Sequence, residues 1–190
     1  MIESPNNLTE LSKPLVNYQE EREMPSQNYS LVQARLGGLF NLDDRFNAAT
    51  ELTLDVSQRD LTPFKIKATP ELEPDIAVYY ASEFDFIDTA EDSDVLRVSQ
   101  MPSLAIEILS PTQGTNEVVA KFRAYFALGI KSCWLVDPSL KNITVYKSPK
   151  ESKTYDMTDG EVVDNLLDIR LPLSKIFAKK TVIKAAVKSV

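Results

Sequence analysis

The chain has 190 residues, 43% hydrophobic and 26% charged, with a formal charge of −7. This is the make-up of one ordinary globular domain, and its acidity argues against a generic nucleic-acid coat, which would show a basic excess. It has no histidine and a single cysteine, Cys133, which excludes Ser-His-Asp and Cys-His catalysis, the commonest zinc sites and an internal disulfide. Carboxylates and backbone carbonyls remain, and these suffice for a hard cation such as Mg2+. No apolar run approaches the length of a membrane span, and the first residues lack a basic segment followed by an apolar core. The expected compartment is therefore the cytoplasm, with no membrane partner.

Residues 1–23 are polar, with scattered prolines and no clear period, and read as an extended arm. From Ser26, a suitable cap, Tyr29, Val32, Leu36, Leu39 and Phe40 recur at three- and four-residue spacings and predict a helix, in which Gly37-Gly38 suggests close packing. Residues 51–56 alternate apolar and polar side chains and predict a strand, followed by a long polar, proline-containing connection to Pro74. A second strand is expected around Asp75 and on through Tyr79. An acidic stretch over 83–94 reads as a solvated loop.

A third strand runs over 104–109. Thr115 caps a helix through about Leu128, with Val118, Val119, Phe122, Tyr125 and Phe126 on its apolar face and Gly129 as its stop. Residues 132–136 predict a buried strand with a hairpin partner over 143–146. A further hairpin is expected from 154–157 and 161–163 around Asp159-Gly160, then a last strand over 166–171 and a short helix over 173–177. The main domain spans 24–178, and 179–190 form a basic, amphipathic tail. Helix, strands, helix, strands in that order predict an α/β domain with a mixed sheet flanked by helices.

Two of these strands each set one acid inside an apolar, β-branched run: Pro74-Asp75-Ile76-Ala77-Val78 and Leu104-Ala105-Ile106-Glu107-Ile108-Leu109. A buried carboxylate needs a cation, a metal or a hydrogen-bond donor. Lys121 follows near the start of the next helix, and two acids and a lysine at one sheet edge can hold Mg2+ and a phosphate together. Each residue also has a plainer reading. Asp75 can be the acid of a Pro-Asp turn, Glu107 can face water from a half-buried sheet, and Lys121 can be a solvated helix residue. Gln33 can point into the same cleft or simply pack. Tyr125, four residues after Lys121 and hence on the same helix face, can touch the second acid or sit in the apolar stripe.

The stretch from Leu72 to Tyr146 resembles the bacterial Uma-two family, predicted endonucleases of the restriction-endonuclease-like PD-(D/E)XK fold. The resemblance is carried by the two acidic strands, by Lys121-Phe122-Arg123-Ala124-Tyr125-Phe126-Ala127-Leu128-Gly129-Ile130 and by Trp134-Leu135-Val136-Asp137-Pro138; Met24-Pro25-Ser26 is a weaker match. It implies a Mg2+- or Mn2+-dependent endonuclease acting on DNA. Asp75, Glu107 and the main-chain carbonyl of Ile108 would hold the metal, and Lys121 would act as the catalytic cation. The usual motif places that lysine two residues after the second acid, where this chain has Leu109, and Lys121 stands in from the helix. Relatives often carry a histidine where this chain has Asn28 or Tyr29, and an aspartate where it has Glu117. Cutting both strands of a duplex calls for two sites and hence a homodimer. The alternative is an inactive nuclease-fold module used for binding or assembly, which the acidic balance and the missing histidine favour.

Overall fold

A computed structural model describes residues 25–64, 71–84, 96–110 and 115–179. The expected arm, most of the acidic stretch and all of the tail beyond Lys179 lie outside the described residues. Helix α1 (Gln27–Asn41) starts where its cap predicts, the Ser26 hydroxyl accepting the Tyr29 amide at 3.2 Å. It buries Val32, Leu36, Gly37 and Phe40; Gly37 faces Thr50, whereas Gly38 borders open space. Strands β1 (Phe46–Thr50), β4 (Ile76–Tyr80), β5 (Leu104–Ile108), β6 (Ser132–Asp137), β7 (Asn142–Ser148) and β8 (Glu151–Tyr155) form one six-stranded sheet in the order β1-β4-β5-β6-β7-β8.

Within this sheet, among the described residues, only β5 and β6 run parallel. A parallel pair needs a crossover, and helix α2 (Thr115–Ala127) supplies it, ending at Gly129 in the left-handed region, φ 95°. Two-residue strands β2 (Leu54–Asp55) and β3 (Glu71–Leu72) pair to one side, and β9 (Glu161–Asp164) and β10 (Ile169–Pro172) form a separate hairpin leading into helix α3 (Leu173–Phe177). No helix among the described residues is long and apolar enough to cross a membrane.

The centre of the sheet is covered on both faces. Leu104, Ile106 and Ile108 of β5 join Val32, Leu36 and Phe40 of α1 and Leu173 and Ile176 of α3 in one core. Ala105, next on β5, turns the other way into a second core with Val118, Phe122 and Tyr125 of α2. Alternation along a strand puts Glu107 on that same α2 side. Each fully buried Leu, Ile or Phe contributes roughly 1.5–3 kcal/mol, so the strand that carries Glu107 is fixed by apolar packing on either side.

Two expected elements differ. The strand predicted over 51–56 is broken, because Glu51 sits at φ 53° and the chain bends there. The edge strand is instead β1, whose Asn47, Ala48 and Ala49 have little intrinsic strand preference. Pairing with β4 in five registered residue pairs decides it. The hairpin expected around Asp159-Gly160 also does not form, since β8 pairs with β7 and β9 with β10. A long-range polar contact holds β9 under the main sheet. Asp164, fully buried, accepts the Ser132 hydroxyl at 2.5 Å, the Trp134 indole N–H at 3.0 Å and the Leu166 amide at 3.0 Å. Asp164→Ala strands the buried Trp134 indole N–H and leaves the Ser132 hydroxyl only the Tyr146 carbonyl at 3.3 Å, so urea denaturation should show a loss of about 2–3 kcal/mol with an unchanged m-value. A loss below about 0.5 kcal/mol would mean that the apolar contacts alone dock β9.

Candidate metal centre

The site is built where β4 begins and β5 ends. Registered pairs Ile76↔Ile106 and Ala77↔Ala105, continued by one step, set Asp75 opposite Glu107. Asp75 keeps an accessible edge, and its Oδ2 accepts the Ile108 amide at 2.5 Å. Its main-chain carbonyl accepts the Gln33 side-chain amide at 3.1 Å and the Glu51 N–H at 3.3 Å, while the Tyr29 phenol lies near its carboxylate. Glu107 is only 2% exposed. Its Oε2 receives the Lys121 ammonium at 3.1 Å and its Oε1 the Tyr125 hydroxyl at 2.7 Å.

Helix spacing explains both sets of partners. Tyr29 and Gln33 are four apart on α1, and Lys121 and Tyr125 are four apart on α2, so each pair shares one face of its helix. One helix thus holds Asp75 and the other holds Glu107, from opposite faces of the sheet.

The electrostatics are those of two acids crowded together. Burial, and next the charge of Glu107, push the Asp75 carboxyl up to about 7; the Tyr29 hydroxyl, the Ile108 amide and Lys121 pull the other way. Burial also raises the Tyr29 phenol, with Asp75 adding to it, and raises the Tyr125 phenol and the Cys133 thiol, each with Glu107 as the next cause. The phenols are therefore neutral donors. Cys133 is buried and held as the thiol, in keeping with quiet packing.

This donor set fits a hard divalent cation. Every group is an oxygen, two of them from acids that disfavour each other's ionisation. In an extended strand a residue's N–H and C=O project to the same edge. The Ile108 amide goes to Asp75, so its carbonyl also faces the β4 side. Among the described residues no group of three or more His, Cys, Asp or Glu side chains comes together, so the set is two carboxylates and a main-chain oxygen.

Of the positions named as catalytic or metal-binding in the sequence, Ile108 contacts Asp75 through its amide and Lys121 contacts Glu107, at neighbouring points of β4 and β5. Tyr125 is both core and polar contact, being fully buried with its hydroxyl on Glu107. Gln33 contacts the Asp75 backbone. Glu117 is exposed. In the sequence Tyr29 stands as a residue of the helical apolar stripe and, with Asn28, as a place where relatives carry a histidine; its four-residue offset from Gln33 was the signal that both lie on the face toward Asp75. Leu109 is apolar and half-buried. With Ser26, Gln27, Asn28, Pro138 and Ser139 it lines an open depression of about 260 Å3 beside the end of β5.

A family model for Uma2, described as "Putative restriction endonuclease", matches residues 20–174. Among solved structures, one similar to this chain is "a putative nuclease belonging to DUF820 from Anabaena variabilis". It is 21% identical, with a TM-score of 0.64 over 82% of this chain and 83% of that one. At that identity the likeness establishes a shared fold, a six-stranded mixed sheet flanked by helices. No curated protein matches.

Proposed function

This chain belongs to the Uma2 family, and from that premise we propose that it is a Mg2+-dependent nuclease hydrolysing DNA phosphodiester bonds at the Asp75–Glu107 cleft. The observation that carries the reading is the convergence of Asp75, Glu107 and Lys121 at the junction of β4, β5 and α2, with Lys121 on Glu107 at 3.1 Å. The family description and the nuclease-fold relative support the same chemistry.

Asp75, Glu107 and the Ile108 carbonyl would hold Mg2+ or Mn2+, which when bound polarises the scissile phosphate and makes water a competent nucleophile near neutral pH. The chain's own residues do the rest. The Ile108 amide fixes the Asp75 carboxylate, with the Tyr29 phenol close by, and Gln33 fixes its backbone. Lys121, 8% exposed on a flexible stem, supplies positive charge for the pentavalent phosphate as it develops. Its usual neighbour position, Leu109, contributes no charge. Packing of α1, α2 and α3 on the sheet holds the carboxylates on strand ends rather than on loops, which favours precise placement.

The test is direct. Incubated with supercoiled plasmid, the purified protein should convert it to nicked or linear DNA with Mg2+ or Mn2+ and leave it intact in EDTA. If no cleavage of DNA or RNA is seen with either metal, and calorimetry detects no metal binding, the chain is an inactive nuclease-fold module. The acidic charge of −7 is the observation that favours that second reading.

A further inference from the structure

Lys121 and Tyr125 are not equivalent as donors to Glu107. Lys121 ends in an ammonium on a four-carbon stem, with 10% of its side chain exposed, and contacts Oε2. A dication at the centre would repel that ammonium, and the flexible stem would let its tip move. Tyr125 is a neutral phenol with no exposed surface, its ring 6.3 Å from that of Phe122 and its hydroxyl 2.7 Å from Oε1. A cation does not repel it electrostatically, and the surrounding core gives its ring no second position.

We propose that Tyr125 is a positioning residue that keeps Oε1 of Glu107 engaged, so that Glu107 offers a metal one oxygen rather than two, and the centre selects Mg2+ over Ca2+. The inference rests on the metal-dependent reading above. Its chemistry is that of ion size. Mg2+ demands few, well-placed ligands at short distance and keeps several waters, whereas Ca2+ takes more oxygens and accepts bidentate carboxylates readily. A phenol locked on one carboxylate oxygen therefore penalises the larger ion. Nothing else on the described part of α2 does this, since Glu117 is exposed and Phe122 carries no polar group.

The experiment is calorimetric titration of the wild type and of Tyr125→Phe with MgCl2 and with CaCl2, each beside a thermal melt. Loss of an outer-shell partner typically costs 10- to 100-fold in affinity. The Mg2+ Kd of Tyr125→Phe is expected to rise about tenfold while the Ca2+ Kd holds or falls, so that the Mg2+/Ca2+ preference drops by about an order of magnitude. A merely structural role would weaken both ions alike; equal shifts, or none, overturn the proposal. If Tyr125→Phe does not fold, the wild type still decides, because tighter Ca2+ than Mg2+ binding there overturns it. A wild type that binds neither ion removes the metal-dependent reading itself, an outcome distinct from a wild type that binds both without preference.

Discussion

Asp75→Asn should abolish Mg2+-dependent cleavage while making the metal-free protein more stable at pH 8. The loss of activity should be at least about a hundredfold, since even outer-shell partners of a metal cost 10- to 100-fold and Asp75 would touch the ion. Asparagine keeps an oxygen for the Ile108 amide, so the turn into β4 survives. The stability gain follows from linkage. The Asp75 carboxyl titrates near 7 when folded, against 3.8 ordinarily. Between about pH 4 and pH 7 the folded protein holds a proton that the unfolded chain has released, so wild-type stability falls as pH rises through that window. Asparagine does not titrate. Melts of the two proteins without metal should nearly coincide at pH 4 and separate toward pH 8, with the variant higher. Cleavage that survives in Asp75→Asn would remove this residue from the centre; a variant melting lower than wild type at pH 8 would show that the carboxylates do not oppose one another.

Lys121→Met should give the largest loss of stability of any single change at the centre. Removing one partner of a buried pair leaves the other uncompensated and costs about 3–5 kcal/mol, and Glu107 is 2% exposed. Tyr125 still donates to Oε1, but a neutral donor does not replace an ammonium. A lone buried carboxylate escapes by taking up a proton, so the cost should shrink at pH 5 and grow at pH 8 in urea denaturation. Adding Glu107→Gln should restore most of the loss, because the double variant no longer buries a carboxylate that has lost its ammonium. Neither protein should cleave DNA. Additive losses in the double variant would show that the 3.1 Å contact contributes nothing to folding.

The contrast between these two changes follows from position. Asp75 lies at a strand mouth with an open edge and a like-charged neighbour, so neutralising it relieves the fold and harms the chemistry. Lys121 lies in the wall of the second core, so removing it harms both.

The elements that carry the centre were legible in the residues. Ser26, the three- and four-residue spacing after it, Gly129 and the apolar runs around Asp75 and Glu107 each have a local physical cause, and α1, β4, β5, α2 and β6 lie where those causes put them. The acids inside apolar runs named the site, because a carboxylate among β-branched side chains needs an explanation and a surface one does not. Elements whose identity depends on distant partners were not legible. Strand β1 is made by its ladder with β4 in spite of its alanines. The docking of the β9–β10 hairpin depends on Asp164 reaching Ser132 and Trp134, some thirty residues away in the chain.

The same division holds inside the centre. Acids set in apolar runs marked Asp75 and Glu107 as candidates, and the ordered resemblance to the family motifs joined Lys121 to them, since the desolvation of a charge is legible in its sequence neighbours but its partner is not. Which oxygen meets which donor was decided only by the packed fold. The choice of Oε1 for Tyr125 and Oε2 for Lys121, and the closing of Tyr29 and Gln33 on Asp75, depend on where two helices cross opposite faces of one sheet. That crossing is set by core packing, which no local stretch of sequence contains.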